Sequence, residues 1–181
     1  IEDFETPDTR FFSGYYLTVS RTNVSDHVQR GHYAGKLDYV LPEDTGYYSQ
    51  AMAGSFSNLG SPYTALNLWV YGDGSGNQLS FLYTGDVKSD LELPVTTLDF
   101  TGWKQINVPL PQDFTLSGVV IYAPSTTDAT WDHIQVTYAD TPRSGTVYID
   151  QITAAFPGTV DNAPPTVTAA LDEQTQTISV K

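Results

Sequence analysis

Hydrophobic and polar residues alternate along this chain in short runs that are separated by turn-forming residues. Residues 66–71 (LNLWVY) and 78–83 (QLSFLY) are two such β-rich runs, and the six residues between them are Gly, Asp, Ser and Asn. Those six supply positive φ angles and side chains that cap a tight connection, so the pattern predicts a β-hairpin over residues 66–83. We expect this hairpin at the centre of a β-sheet domain.

Other segments have the same strand character. Residues 37–41 (LDYVL) and 103–108 (WKQINV) alternate, whereas residues 116–123 are apolar on both faces, as the central strand of a sheet would be. No window keeps a 3.6-residue apolar period long enough to predict a helix. Many short strands with turn signals between them therefore predict an all-β fold, an antiparallel β-sandwich of jelly-roll type, although the pattern is also compatible with a barrel.

Two tryptophans lie within these alternating runs. Trp69 belongs to the first run of the predicted hairpin, and Trp103 begins the run at 103–108. Because the neighbours of each alternate between apolar and polar, we expect both indoles to be core residues.

The composition narrows the possible partners. The chain of 181 residues has 21 acidic against 8 basic side chains and a net charge of −13, and its sequence has no local basic patch. Such a surface repels a phosphate backbone, which argues against nucleic-acid binding. Cysteine is absent, so disulfides and thiolate metal sites are impossible, and no apolar run approaches the roughly 20 residues that span a bilayer. We expect a monomer, and Ile1 in place of Met indicates a processed or excised segment.

The composition changes near the C-terminus. Residues 157–165 (PGTVDNAPP) have no apolar pattern and contain three prolines, which predicts a stiff linker. Residues 166–181 resemble the first strands of an Ig-like module, yet they are too few to form one. We therefore divide the chain into a β-sandwich module over 1–156, a Pro-rich linker over 157–165, and a tail or truncated start of an Ig-like module over 166–181.

Signatures of catalysis are weak in this sequence. It has neither Gly-x-Ser-x-Gly nor His-Glu-x-x-His, and the glycine-rich residues 72–76 lack the lysine of a phosphate-binding loop. The three histidines, His27, His32 and His133, are scattered, and we interpret them as structural. Paired carboxylates could form a glycosidase site, but 21 acidic residues produce some pairs by chance. We predict that the module is not an enzyme.

Three motifs, in this order along the chain, carry a resemblance to a known class of proteins. They are LNLWVYGDGSGNQLSFLY at 66–83, LDFTGWKQINVPLP at 98–111 and SGTVYIDQITA at 144–154. Together they resemble the jelly-roll carbohydrate-binding-like modules of secreted bacterial glycosidases and of phosphodiester-glycosidase (NAGPA-type) surface proteins. The resemblance covers residues 1–156. It implies a non-catalytic accessory module that binds a polysaccharide or cell-surface glycan, beside other domains of one secreted or surface-attached bacterial protein.

A structural calcium ion is a further implication of the resemblance. In modules of this kind the ion joins acidic residues of the first strand to an aspartate of the last. Asp3 and Glu5 match the first group, since period two places them on one face of an extended strand with Phe4 facing inward, and Asp150 matches the second. Gln151 stands where relatives often have a second aspartate. The expected calcium ligands are Asp3, Glu5 and Asp150.

Aromatic side chains provide material for a sugar site, because pyranose C–H groups pack against aromatic faces. Trp131 follows a polar loop, which favours its exposure. Tyr15–Tyr16 and Tyr47–Tyr48 are adjacent pairs, and in a strand one member of each pair must face outward. We expect Trp131, Tyr15 and Tyr47 to contact the ligand. Two alternatives remain open, a structural spacer or adhesion module without a sugar site and a glycoside-acting enzyme.

Overall fold

The computed structural model of the chain describes residues 2–42, 50–57, 63–84, 90–111, 115–129, 134–156, 169–172 and 177–180. Within these residues the chain forms fourteen strands, and the helical structure is a single 3₁₀ turn, Ser25–His27. The strands are β1 Phe11–Phe12, β2 Leu17–Thr22, β3 Ala34–Val40, β4 Gln50–Ser57, β5 Ala65–Asp73, β6 Gln78–Thr84, β7 Asp90–Thr97, β8 Thr101–Pro109, β9 Thr115–Tyr122, β10 Ser125–Ala129, β11 Ile134–Tyr138, β12 Ser144–Ala155, β13 Ala169–Asp172 and β14 Thr177–Val180.

Ten of these strands form two five-stranded antiparallel sheets. The first sheet has the order β1-β4-β9-β6-β7, and the second has the order β2-β3-β12-β5-β8. The other four strands form two small hairpins, β10 with β11 and β13 with β14. Buried side chains from both large sheets belong to one hydrophobic core, as in a β-sandwich. The expected all-β antiparallel sandwich of jelly-roll type is confirmed.

Period two builds the core between the sheets. In β5 of the second sheet, Leu66, Leu68 and Val70 are buried, and in β6 of the first sheet Leu79 and Phe81 are buried. A strand points successive side chains to opposite faces, so each run contributes every second residue to the interior. Burying a side chain of this size is worth roughly 1.5–3 kcal/mol. A chain without cysteine depends on this core for its stability.

The hairpin expected over residues 66–83 is wrong. Strand β5 pairs with β12 and β8 in the second sheet, whereas β6 pairs with β9 and β7 in the first. Residues 74–77 therefore carry the chain across the sandwich, with positive φ angles at Gly74 (72°) and Gly76 (76°). Glycines with positive φ can turn a chain within one sheet or between two. Each strand needs one buried face. Two strands in opposite sheets bury their faces against each other as well as two paired strands of one hairpin do, so the sequence pattern could not distinguish the two arrangements.

A buried asparagine holds this crossing segment. Asn77 is fully buried, and its Nδ2 donates hydrogen bonds of 2.9 Å to Oη of Tyr39 and to the carbonyl oxygen of Pro142. Its Oδ1 accepts a hydrogen bond of 2.6 Å from Oγ1 of Thr141. A buried amide is costly without such partners, so the three bonds determine where the segment can lie.

The expectation that Trp69 and Trp103 are core residues is also wrong. Both are half-buried and neither belongs to the core cluster. Trp69 lies between the buried Leu68 and Val70, and Trp103 is opposite Tyr71, which shares the outer face of β5 with Trp69. The alternation shows which residues share a face, but both faces of β5 carry apolar side chains, so the inner face is ambiguous. Tertiary packing turned the leucines of β5 inward and its tryptophan outward.

The C-terminal strands β13 and β14 pair antiparallel, with Ala169 opposite Val180. The linker at 157–165 lies outside the described residues, and the division at 156 and 165 stays a prediction. In the part of the chain that the structure describes, no helix is long and apolar enough to cross a membrane.

Candidate functional site

The outer face of the first sheet carries one group of candidate residues. Across its central strands, Met52 of β4 is opposite Val120 of β9, and Val120 is opposite Ser80 of β6. Val120 and Ser80 are fully buried, although neither belongs to the core cluster. This row is therefore shielded from solvent on the side of the sheet that faces away from the core.

Polar groups continue beside this row. Oγ of Ser80 and Oη of Tyr122 lie 3.4 Å apart. Gln78 is opposite Tyr122 in the sheet, and its Nε2 donates a hydrogen bond of 2.8 Å to Oγ1 of Thr97. Hydroxyl, phenol and amide groups both donate and accept hydrogen bonds. The patch therefore suits a ligand that carries many hydroxyl groups.

Exposed aromatic residues lie at the β1–β4 edge of the first sheet. Phe12 of β1 is opposite Gly54 of β4, and its ring lies directly over Gly54, which has no side chain to displace it. Phe12 is 44% exposed, Tyr15 is 75% exposed and Tyr16 is 58% exposed. The N–H of Met52 donates to the carbonyl oxygen of Tyr15 at 2.8 Å, and Tyr16 forms a parallel bridge with Met52. These contacts join the tyrosine segment to β4.

The exposed position of Tyr15 is compatible with its predicted role, which stays a prediction. Its neighbour Tyr16 is exposed as well, so the expected inward-outward division of this pair is wrong. The φ angle of Tyr16 is +57°, in the left-handed region, and the pair is therefore not part of an extended strand. Tyr47 and Trp131 lie outside the described residues, and their roles also stay predictions.

Phe12 is a candidate that the sequence pattern did not single out. It follows Phe11, which is buried, within the two residues of β1. Two adjacent phenylalanines in a strand must face opposite sides, and this was the available signal. The sequence could not show that a glycine in a distant strand makes room for the outer ring.

The expected calcium ligands lie near the contact between the N-terminal segment and β12. Glu2 and Ile152 exchange two backbone hydrogen bonds of 3.1 and 2.8 Å, so the first and last segments of the sandwich are neighbours, as expected. Asp150 is fully buried in β12. Its Oδ2 accepts hydrogen bonds of 3.0 Å from the backbone N–H groups of Gln29 and Arg30. Burial raises the pKa of Asp150, and these amide donors oppose that shift.

Glu5 contacts the same loop, residues 29–33. Its Oε1 accepts hydrogen bonds from the backbone N–H groups of His32 at 2.8 Å and Tyr33 at 3.0 Å, and these bonds lower the pKa of Glu5. Oδ1 of Asp3 accepts a hydrogen bond from the Glu5 N–H at 3.2 Å. Among the described residues, no three His, Cys, Asp or Glu side chains form a group that could hold a metal ion. The calcium site stays a prediction.

Glu2 is a buried carboxylate that the pattern missed. Its Oε1 accepts a hydrogen bond of 2.8 Å from the N–H of Phe4, and its Oε2 accepts one of 2.6 Å from the N–H of Arg10. The extended strand expected over residues 1–5 is interrupted, because the φ angle of Phe4 is +59°. Phe4 is fully buried, as expected, and Glu2, two residues before it, is buried as well. Residues two apart share a face of an extended segment, so the alternation was the available signal for Glu2.

Residues 1–156 match the family described as "Carbohydrate binding domain (family 11)". Among curated proteins, none is similar enough to count as a match.

Similar solved structures include two family 11 carbohydrate-binding modules of Clostridium thermocellum. One belongs to a cellulosomal cellulase, with 14% identity, a TM-score of 0.54, and coverage of 86% of this chain and 92% of that one. The other is in complex with a β-1,3-1,4-mixed-linked tetrasaccharide, with 17% identity, a TM-score of 0.55, and coverage of 86% and 94%. A third is a two-module fragment of xylanase 10B of the same bacterium, complexed with xylohexaose, with 14% identity, a TM-score of 0.51, and coverage of 87% and 28%. At these identities the likeness establishes a shared fold.

Proposed function

The chain belongs to the carbohydrate-binding domains of family 11, and from this premise we propose that it holds a neutral polysaccharide against the outer face of its first sheet. The observation that carries the proposal is the combination of exposed rings and hydrogen-bonding groups on that face. The ring of Phe12 lies over Gly54, and Tyr15 and Tyr16 are attached to the adjacent strand. The C–H groups of a sugar ring pack on such aromatic faces.

Hydroxyl recognition is assigned to the polar patch beside the rings. Tyr122 and Gln78 are half-buried and offer donors and acceptors on adjacent strands, while the fully buried Ser80 lies 3.4 Å from the Tyr122 phenol. Their spacing is therefore set by the sheet and not by a flexible loop. Groups held on strands are oriented before the ligand arrives, which lowers the entropy cost of binding.

The net charge of the chain and its membership of family 11 both indicate the class of ligand. A net charge of −13 repels polyanions such as uronic-acid polymers, so a neutral chain is favoured. A similar family 11 module was solved with a β-1,3-1,4-mixed-linked tetrasaccharide, and a mixed-linked β-glucan is therefore the first ligand to test.

We further propose that the module is a non-catalytic accessory part of a larger secreted or cell-surface bacterial protein. A binding module raises the local concentration of a neighbouring domain at the polysaccharide, and this benefit requires a covalent connection. In this arrangement residues 1–156 bind the glycan as a monomeric unit, and residues 157–165 separate that unit from residues 166–181.

A structural calcium ion between the N-terminal segment and β12 is part of the proposal. The carboxylates of Glu5 and Asp150 both contact the loop at 29–33, and a hard cation prefers oxygen ligands. Two carboxylates fit such an ion only in part, since calcium takes 6–8 oxygens. Asp3, backbone carbonyls and water would complete the set, and the ion would neutralise charge where Asp150 is buried.

The proposal is tested by isothermal titration calorimetry with barley β-glucan, xylan and polygalacturonate. We expect binding to the neutral glucan, none to the polyanion, and at least a tenfold loss of affinity in Phe12→Ala and Tyr15→Ala. Phe156→Ala is the matched control, because Phe156 is 48% exposed but follows β12 of the second sheet.

Two outcomes would contradict the proposal. Unchanged affinity in both variants would remove the site from this face, and no binding to any neutral glycan would favour a spacer. A reducing-sugar assay on the same polysaccharides tests for a glycoside-acting enzyme, because such an enzyme would release reducing ends.

A further inference from the structure

A second cleft lies on the outer face of the second sheet, on the opposite side of the sandwich from the proposed glycan face. It has a volume of about 340 Å³, and Trp69 of β5 lies in its wall. In the sheet, Trp69 is opposite Gln105 of β8 on one side and Asp150 of β12 on the other. We call this the Trp69 cleft. Its volume is at the lower end of the range for small-molecule sites, roughly 300–1,000 Å³.

The lining of the Trp69 cleft is an indole surrounded by side-chain amides. Asn67 and Gln105 come from β5 and β8, Gln151 from β12, and Gln29 from the loop that closes the cleft. Oδ1 of Asn67 accepts a hydrogen bond of 2.8 Å from Nδ2 of Asn107, which leaves the Asn67 nitrogen as the donor for a ligand. Each amide can donate to one hydroxyl and accept from the next, while the indole offers a flat apolar surface.

The wall formed by the loop is anchored to the floor. The backbone N–H groups of Gln29 and Arg30 donate to the buried Oδ2 of Asp150, both at 3.0 Å, so the loop is tied to β12. Gln151 is the next residue, with a φ angle of +52°, and the pairing of β12 with β5 shifts register between Asp150 and Thr153. A bulge of this kind re-aims side chains at the edge of a site. These tertiary contacts therefore form the cleft before any ligand binds.

Aromatic rings close one end of the cleft along β5. Tyr71 is the next outward residue after Trp69, and its ring meets Trp103 edge-on at 5.5 Å and Tyr148 edge-on at 5.7 Å between centroids. The ring of His27 stacks on Tyr148 at 4.1 Å and meets Tyr71 edge-on at 4.9 Å, so these rings pack against one another. They form a rigid end wall beside the amide-lined cleft.

From this lining we propose that the Trp69 cleft is a second carbohydrate-binding site, which takes a neutral hexopyranose chain. None of the described residues in its lining is acidic, although the chain as a whole is strongly acidic. Arg30 is the charged residue of the lining, and it lies at the exposed rim. Amides and an indole recognise hydroxyls and C–H faces, and neither requires a charged ligand. The inference assigns a site of its own and rests on the proposed function only for the class of ligand.

Two sites on opposite faces would change how the module meets a polysaccharide. One chain cannot lie flat on both faces, so the two sites would engage two chains or two segments of one chain. Binding to an insoluble polysaccharide would then gain avidity over binding to a soluble oligosaccharide.

The test is a titration of the full chain, monitored by ¹H–¹⁵N spectra of the indole N–H groups, with the mixed-linked β-1,3-1,4 tetrasaccharide and with cellotetraose. The Trp69 signal is assigned by its loss in Trp69→Phe. We expect ligand to shift this signal, and we expect Gln105→Ala to weaken that response at least tenfold. Gln105 is exposed, so its replacement tests the cleft without a risk to folding. Thr18→Ala, at an exposed position of β2 in the same sheet, is the matched control.

The outcomes distinguish this site from the proposed face. If Phe12→Ala with Tyr15→Ala leaves the Trp69 response intact, the cleft binds independently, and the inference is supported. If the double variant abolishes every response, or if the Trp69 signal does not move at millimolar ligand, the second site is refuted. The calorimetry on Phe12→Ala and Tyr15→Ala decides the first face separately. If only Gln105→Ala affects binding, the cleft is supported and the first face is not.

Discussion

The hydroxyl of Tyr39 donates a hydrogen bond of 2.7 Å to Oδ2 of Asp73, and this bond joins β3 to the end of β5 across the intervening strand β12. Gly145 of β12 is opposite Tyr39 and lies under the bond, where a Cβ would overlap both the Tyr39 hydroxyl and the Asp73 carboxylate. The bond stands where the chain leaves the second sheet for the first, so it helps to hold the crossing segment.

Replacement of Gly145 by alanine is expected to break this bond. The new methyl group would separate the phenol from the carboxylate and leave a buried hydroxyl poorly paired, which costs roughly 1–3 kcal/mol. Chemical denaturation measures the loss. Ser144→Ala, at the exposed neighbouring position, is the control and should change the free energy of unfolding by less than about 0.5 kcal/mol. Equal stabilities of the two variants would show that the bond contributes nothing.

The stability of the protein is expected to fall between about pH 10 and pH 12. Burial raises the pKa of Tyr39 to about 12, from an ordinary value of 10.0. Below pH 10 the phenol is protonated in both the folded and the unfolded chain, and its contribution is complete. Between the two values the unfolded chain releases the proton and the folded chain keeps it, so unfolding becomes easier as pH rises, by about 2–3 kcal/mol in total. Denaturation across this window should show a shallower fall in Tyr39→Phe, and parallel curves would contradict the assignment.

The replacement Gly54→Ala is expected to weaken glycan binding without contact to the ligand. A Cβ at Gly54 would overlap the Phe12 ring, so the ring would have to leave its position over β4. We expect a loss of affinity similar to that of Phe12→Ala, measured by calorimetry with β-glucan. The double variant should bind no worse than either single variant, because both remove the same platform. Additive losses would mean that Phe12 and Gly54 act separately.

Chelation is expected to lower the melting temperature if calcium occupies the proposed site. An ion that binds the folded state alone stabilises it by roughly 2.7 kcal/mol at a hundredfold excess over its dissociation constant. The quantity to compare is the change in melting temperature on adding EDTA, in the wild type, in Asp150→Asn and in the exposed control Asp26→Asn. Only Asp150→Asn should lose sensitivity. If metal-stripped protein melts at the same temperature with and without calcium, the calcium site is refuted. The backbone N–H groups of the loop at 29–33 would then be enough to stabilise the carboxylates of Glu5 and Asp150.

A truncation after Phe156 is expected to fold and to keep its glycan affinity. The family match ends at residue 156, and β12 ends at Ala155. The final strands β13 and β14 pair with each other. Circular dichroism and calorimetry of the truncated chain would check the division, and an insoluble product would show that residues 157–181 stabilise the sandwich.

Part of the candidate site was accessible from the sequence. Asp150 was singled out by the resemblance of its motif to known modules, and Tyr15 by its adjacent tyrosine, because motifs and aromatic pairs are local features. Their predicted roles stay predictions, and Phe12 was missed. The partners of these residues were not accessible. The loop at 29–33 that contacts both Asp150 and Glu5 is about 120 residues from Asp150 in sequence, and no local pattern relates two such segments. The Trp69 cleft was missed for the same reason, since its amides come from three strands and a loop.

The amino-acid sequence by itself determined the positions of the alternating strands β3, β5, β6 and β8 and the all-β class, because alternation and turn residues act over a few neighbouring residues. Tertiary structure decided which sheet each strand joins and which of its faces is buried. Strands β5 and β6 are consecutive along the chain but lie in opposite sheets, and Leu68 faces the core while Trp69 faces out. Those choices depend on how well distant side chains pack together, a free energy that is defined only once both sheets are in place.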